Sequence, residues 1–186
     1  MKMLKPCLTL LAVVAVATLV GCSTTSTTST KAVDVSQSLR ASLDQAGFKD
    51  VSVSQDRDKG VVTLGGHVTA DGDKSQAESI ARSIAGNQVV ANQIAVVPVG
   101  IESEAKNVNS DLDKGIESNL DAALIKGNLH KDVSYSVKNH VVTLTGDVDS
   151  QGKRARAEAI AAAVLNVDQV VNELQVKKQK ATATNN

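Results

Sequence analysis

Residues 61–68, VVTLGGHV, return as VVTLTGDV at residues 141–148. No other feature of this chain restricts its fold as strongly. The offset of 80 carries on without a gap: Gly72 meets Gly152, Ala77-Glu78 meets Ala157-Glu158, and Ile80-Ala81 meets Ile160-Ala161. Val90, Asn92 and Val96 then meet Val170, Asn172 and Val176. Upstream, Lys49-Asp50-Val51 meets Lys131-Asp132-Val133 at an offset of 82, so the first copy has a hairpin longer by two residues. A chain of 186 residues with two such copies is a duplication of one small unit.

Each copy reads in the same order. Val35, Leu39, Leu43 and Ala46 fall at helical spacing between Asp34, a helix-starting residue, and Gly47, a stop. Ile116, Leu120 and Leu124 do the same before Gly127. A hairpin follows in each copy, with Val51, Val53, Val62, Leu64 and Val68 in the first and Val133, Tyr135, Val137, Val142, Leu144 and Val148 in the second. A second helix presents Ala77, Ile80, Ala81 and Ile84, or Ala157, Ile160, Ala161 and Val164; Glu78 and Arg82 stand four apart on it, in the favourable order for an ion pair. A last strand takes Val90, Ile94 and Val96, or Val170, Leu174 and Val176. This predicts an α+β chain of two tandem αββαβ domains, each a three-stranded mixed sheet with both helices on one face. The domains are predicted at 33–98 and 112–178. Residues 99–111, with Glu102, Glu104 and Asp111, read as a linker, and 179–186 as a disordered tail.

The αββαβ order, the V-x-L-x-G-x-V strand, the A-E-x-I-A helix and the V-x-N-x-[IL]-x-V strand resemble the BON domain of bacterial envelope proteins. With two copies, the chain is similar to the dual-BON lipoproteins. That resemblance implies a periplasmic, non-enzymatic module linked to envelope integrity, osmotic stress tolerance and anionic phospholipid binding. It brings no catalytic residue and no cofactor.

The N-terminus points to the same compartment. Lys2 and Lys5 precede a nearly unbroken apolar run from Cys7 to Val20, which is short of the roughly 20 residues of a membrane span. The run ends in Leu19-Val20-Gly21-Cys22, which resembles a bacterial lipobox. Residues 1–21 are therefore expected to be a signal peptide, with Cys22 as the acylated first residue of the mature chain. Ser23 after the cysteine implies the periplasmic side of the outer membrane. Residues 22–32 read as a Ser/Thr-rich tether. With Cys7 removed and Cys22 acylated, no thiol is left for redox or metal chemistry.

The 20 basic and 20 acidic side chains balance and aromatics make up 1% of the chain, which excludes a backbone-neutralising or base-stacking nucleic-acid binder. His67, His130 and His140 have no partners at metal-ligand spacing and read as exposed imidazoles. No metal and no enzymatic motif is predicted. Gly66 and Gly146 are expected to let a helix approach the sheet, and Gly72 and Gly152 to ease the turn from strand to helix. Asn92 and Asn172 are expected to bond local backbone.

Two surfaces are candidate sites. The topology gathers the end of the first helix, the start of the second and the end of the last strand at one edge. In the second copy that edge holds Lys126, Lys131, Lys153, Arg154, Arg156, Lys177, Lys178 and Lys180. Basic groups at a helix N-terminus oppose its dipole, so helix stability does not account for them. The expected ligand is anionic phospholipid. The second surface is the sheet face of the first domain away from its helices: Val61, Thr63, Gly65, Val89, Ala91 and Ala95 are small or apolar, and such a face packs on something. It is expected to be covered by the other domain or by an envelope protein. The alternative function is thus a periplasmic adaptor or chaperone that uses this face.

Overall fold

The computed structural model describes residues 31–177. Cys22, Lys178, Lys180, the signal segment, most of the tether and the tail lie outside the described residues. The first domain runs α1 (Ser36–Gln45), β1 (Val51–Asp56), β2 (Val61–Val68), α2 (Asp71–Ala85), β3 (Val89–Asn92) and β4 (Ala95–Val96). The second runs α3 (Glu102–Lys126), β5 (Ser134–Lys138), β6 (Val141–Thr145), β7 (Asp147–Val148), α4 (Gln151–Ala162), β8 (Gln169–Asn172) and β9 (Gln175–Val176). This is the α+β fold of two αββαβ units.

In each unit the hairpin is antiparallel, β1 on β2 and β5 on β6. The last strand joins the middle one in parallel, after the helical crossover that parallel pairing requires. It is interrupted once. Asn92 and Asn172 end β3 and β8, and pairing resumes at β4 on β2 and at β9 on β7, which follows β6 past Gly146. Alternation along β2, and along β6 and β7, sends Val62, Leu64 and Val68, and Val142, Leu144 and Val148, toward the helices. There they meet Leu39, Leu43, Ala77 and Ala81, or Ile116, Leu120, Ala157 and Ala161. Alanines at the contact face of α2 and α4 let both helices lie close to the sheet, so each core fills without large aromatics.

Three expectations change. The segment read as a linker is helical over most of its length: α3 starts at Glu102 and runs unbroken into the second domain. Glu102 and Glu104 complement the dipole in its first turn, and Glu102 Oε1 accepts from Gly100 N at 2.8 Å. Gly66 and Gly146 do not serve a helix. They sit at φ +85° and +120°, and a Cβ there would stand 2.0 Å from Asp50 O and 2.6 Å from Asp132 O. The hairpin strands bend at these points, and only glycine fits beside the partner backbone. Gly72 and Gly152 lie in first helical turns with ordinary φ and nothing that a Cβ would clash with.

Candidate functional site

The last-strand interruption explains the repeated asparagines. Asn92 Nδ2 donates to Glu78 Oε2 at 2.9 Å and to Lys74 O at 3.3 Å, while its Oδ1 accepts from Ile94 N at 3.4 Å. Asn172 repeats this with Glu158 (2.8 Å), Arg154 O (3.3 Å) and Leu174 N (3.2 Å). The amide thus serves local backbone, as expected, and also a helix carboxylate that sequence reasoning missed. The spacing of Glu78 and Glu158 in the A-E-x-I-A motif was the available signal. Burial pushes the Glu78 carboxyl up, but the hydrogen bonds from Asn92 and Arg82 outweigh it and hold the group below its ordinary value.

At the basic edge, the residues divide by what they already do. Lys153 Nζ lies 2.8 Å from Asp149 and 3.2 Å from Asp132. Its pKa is raised, first by the hydrogen bond to Asp149 and then by that to Asp132. Arg154 donates to Leu174 O and Asn172 O, each at 3.0 Å, and so supports the break between β8 and β9. These two cations are occupied within the domain. Lys126, Lys131, Arg156 and Lys177 are exposed, and no ion pair joins them to another described residue. Lys177 reaches this edge because its N–H continues the β7–β9 pairing onto Val148 O at 2.8 Å. In the first domain the corresponding Lys74 is drawn away to Asp168, 3.6 Å distant, and Asp71 and Asp73 stand at the start of α2.

The sheet face of the first domain meets the second domain. Val61 and Ala91 are buried together with Val141 and Val171. Thr63, Gly65 and Ala95 are half-buried, and Val89 is 46% exposed. Val141 and Val171 are the offset-80 counterparts of Val61 and Ala91, which is the signal that could have found them. Around this seam, Lys59 at the first hairpin tip reaches Glu173 Oε2 at 2.5 Å, and that bond raises the Lys59 pKa. Asn139 at the second hairpin tip donates to Gln93 O at 2.7 Å. Lys59 and Asn139 are also repeat counterparts, as are Gln93 and Glu173, so the seam is approximately two-fold. Asp113 of α3 holds the second hairpin tip, accepting from Asn139 N at 2.8 Å and His140 N at 2.9 Å. His140 is therefore not a solvated imidazole. Its Nδ1 lies 3.5 Å from Asp168 Oδ2 and its Nε2 is buried without a partner. His130 pairs with Asp121 at 2.9 Å, and His67 is exposed.

The seam sets a direction. Lys59 precedes β2, to which β3 runs parallel, and touches the residue after β8; Asn139 precedes β6, to which β8 runs parallel, and touches the residue after β3. The two strands therefore run antiparallel across the seam, and the first hairpin tip lies toward the end of the second domain that carries Lys177. The chain enters the first domain at that same tip. Ala32 and Arg57 exchange hydrogen bonds of 2.8 Å, and Lys31 pairs with Asp58 at 3.1 Å.

Among the described residues, no helix is long and apolar enough to cross a membrane and no group of three or more His, Cys, Asp or Glu is placed to hold a metal. Duplicated αββαβ units, glycine-bent hairpins and an asparagine-locked last strand define the class: the BON domain matches residues 33–98 and 112–178, and the chain belongs to that family. Within it, the chain is similar to Osmotically-inducible protein Y of Escherichia coli (strain K12), with 31% identity over 139 residues, 74% of this chain and 68% of that protein. Two solved structures of CdsD, a structural protein of the type III secretion system of Chlamydia trachomatis, one of them of its C-terminal domain, align at 14% identity. Their TM-scores are 0.33 and 0.32, over 77% of this chain and 66% and 62% of theirs.

Proposed function

We propose that this is a non-enzymatic envelope protein, anchored through acylated Cys22 on the periplasmic side of the outer membrane, whose second domain docks on anionic phospholipid and supports envelope integrity under osmotic stress. One observation carries the docking: the tether enters on the side of the molecule toward which the exposed basic edge faces. From Glu173, which Lys59 touches, to Lys177 is at most about 13 Å of extended chain at roughly 3.3 Å per residue. Acyl chains on the tether would hold Lys126, Lys131, Arg156 and Lys177 near the headgroups, so a weak site suffices. Each such cation near an anionic surface contributes about 1 kcal/mol. The relative's name, osmotically inducible, supports the stress setting. The adaptor reading is less well supported, because the second domain already covers Val61 and Ala91.

The test uses residues 31–186, without lipid, and sedimentation with vesicles. Binding to phosphatidylglycerol-containing vesicles but not to phosphatidylcholine, lost in high salt, is expected. Replacing Lys126, Lys131, Arg156 and Lys177 by Gln should weaken it at least tenfold while Lys153 and Arg154 stay intact. Equal binding by wild type and this variant would sink the reading.

A further inference from the structure

The approximate two-fold symmetry of the seam fails at Gln169, and the failure is informative. Along β3, Val89 N donates to Gly60 O and Gln93 N to Leu64 O, both on the β2 side. Val90 and Asn92, of the other parity, direct their peptide groups to the free edge. There Gln169 of β8 meets them: its Oε1 accepts from Asn92 N at 2.9 Å and its Nε2 donates to Val90 O at 2.7 Å. One primary amide accepts from residue i+2 and donates to residue i, the bonding of a neighbouring strand, so it stands where a fourth backbone would otherwise be needed. The repeat counterpart of Gln169 is Val89, which has no amide to return to β8.

We infer that Gln169 is the positioning residue of the seam: its amide latches the free edge of β3 and thereby fixes the side to which the basic edge of the second domain faces. This rests on the docking reading above for its consequence, though not for the latch itself. The apolar part of the seam is four small side chains, Val61, Ala91, Val141 and Val171, and such contacts carry little directional preference. Lys59–Glu173 is half open to water on the lysine side and is weakened by salt. Lys74–Asp168, at 3.6 Å, is screened in the same way, and Asn139 gives one neutral bond to Gln93 O at the other hairpin tip. Among the described residues of the seam, Gln169 alone makes two directional, salt-insensitive bonds, and these set the angle. Gln169 belongs to neither domain core, so its replacement should leave both folded.

The chain from Lys31 onward contains both complete cores, so it serves for the test. Amide hydrogen exchange is read residue by residue in Gln169→Leu. Exchange at Asn92 should quicken at least tenfold, while Leu64 and Leu144 stay protected. Adding Val89→Gln should move the latch to its symmetric place, with new protection at Asn172 rather than at Asn92. Affinity for phosphatidylglycerol-containing vesicles should fall at least threefold in Gln169→Leu and return in the double variant. Unchanged exchange at Asn92 would overturn the latch, and unchanged vesicle affinity with an opened seam would overturn its positioning role. If wild type binds no vesicle, the docking reading fails alone, and Asn92 still decides whether Gln169 latches the domains.

Discussion

A buried asparagine that meets a carboxylate, a helix carbonyl and the N–H of a strand break cannot be replaced without orphaning at least one of them. Asn92→Ala leaves Glu78 half-buried with Arg82 as its remaining partner and strips Ile94 N of its acceptor. The expected loss is about 1–3 kcal/mol of stability in urea unfolding, with a similar effect from Asn172→Ala in the second domain. The same cluster has a pH signature. The Glu78 pKa is depressed below its ordinary 4.5, so the folded state binds its proton less readily than the unfolded chain does. Its contribution is complete above pH 4.5 and is lost as pH falls through the depressed value. The stability gap between wild type and Glu78→Gln should therefore be constant above pH 4.5 and shrink below it; a gap that widens on acidification would contradict the assignment. The glycines give a sharper contrast. Gly66→Ala forces a Cβ onto Asp50 O at positive φ and should cost at least about 1–3 kcal/mol. Gly72→Ala meets open space in a helical turn and should gain about 0.5–1 kcal/mol. In the sequence both glycines are equally well repeated, and only the dihedral and the neighbouring carbonyl tell them apart.

At the level of elements, what the sequence shows is what burial writes into it. Alternating valines mark β2 and β6, and the alanine-isoleucine stripes mark α2 and α4, because in each case one face lies against a core. The first ten residues of α3 bury nothing: Glu102, Lys106, Val108 and Asp111 are exposed. With no stripe to betray it, this stretch looks like a linker, although it contains neither Gly nor Pro and has acids in its first turn. The break between β3 and β4 was hidden for another reason, since the valine alternation resumes in phase across it. Helicity in 102–111 should be separable from the domains. Asn107→Pro places a proline in the helix interior, where it costs about 3 kcal/mol of local helix stability. Because the buried face of α3 begins only at Ile116, the urea midpoints of both domains should stay put while amides in 102–108 lose protection. A loss of stability in the second domain would mean that this half of the helix is part of its fold.

The whole molecule consists of two closed cores and a thin seam. Each core is drawn from its own unit, one between Val35 and Val96 and the other between Ile116 and Val176, while four small side chains and the polar contacts of Gln169, Lys59, Asn139 and Lys74 join them. The repeat made the two units readable. Their mutual placement was not, because Gln169 looks like one more polar residue on an outer sheet face and its partner is the backbone of β3. Such a division predicts separable unfolding. Leu64 is fully buried in the first core, and Leu64→Ala should cost that domain about 2–5 kcal/mol through lost burial and the cavity left behind. In guanidinium the first transition should move to lower denaturant, reported by Phe48, which packs on that core. The transition of the second, followed by Tyr135, should move by much less than half as far, since only the seam transmits the loss. Leu144→Ala, its counterpart, should reverse the pattern. A single transition that shifts as one for both probes would show instead that the seam binds the two units into one cooperative body, and that Gln169 and Lys59–Glu173 carry more energy than their number suggests.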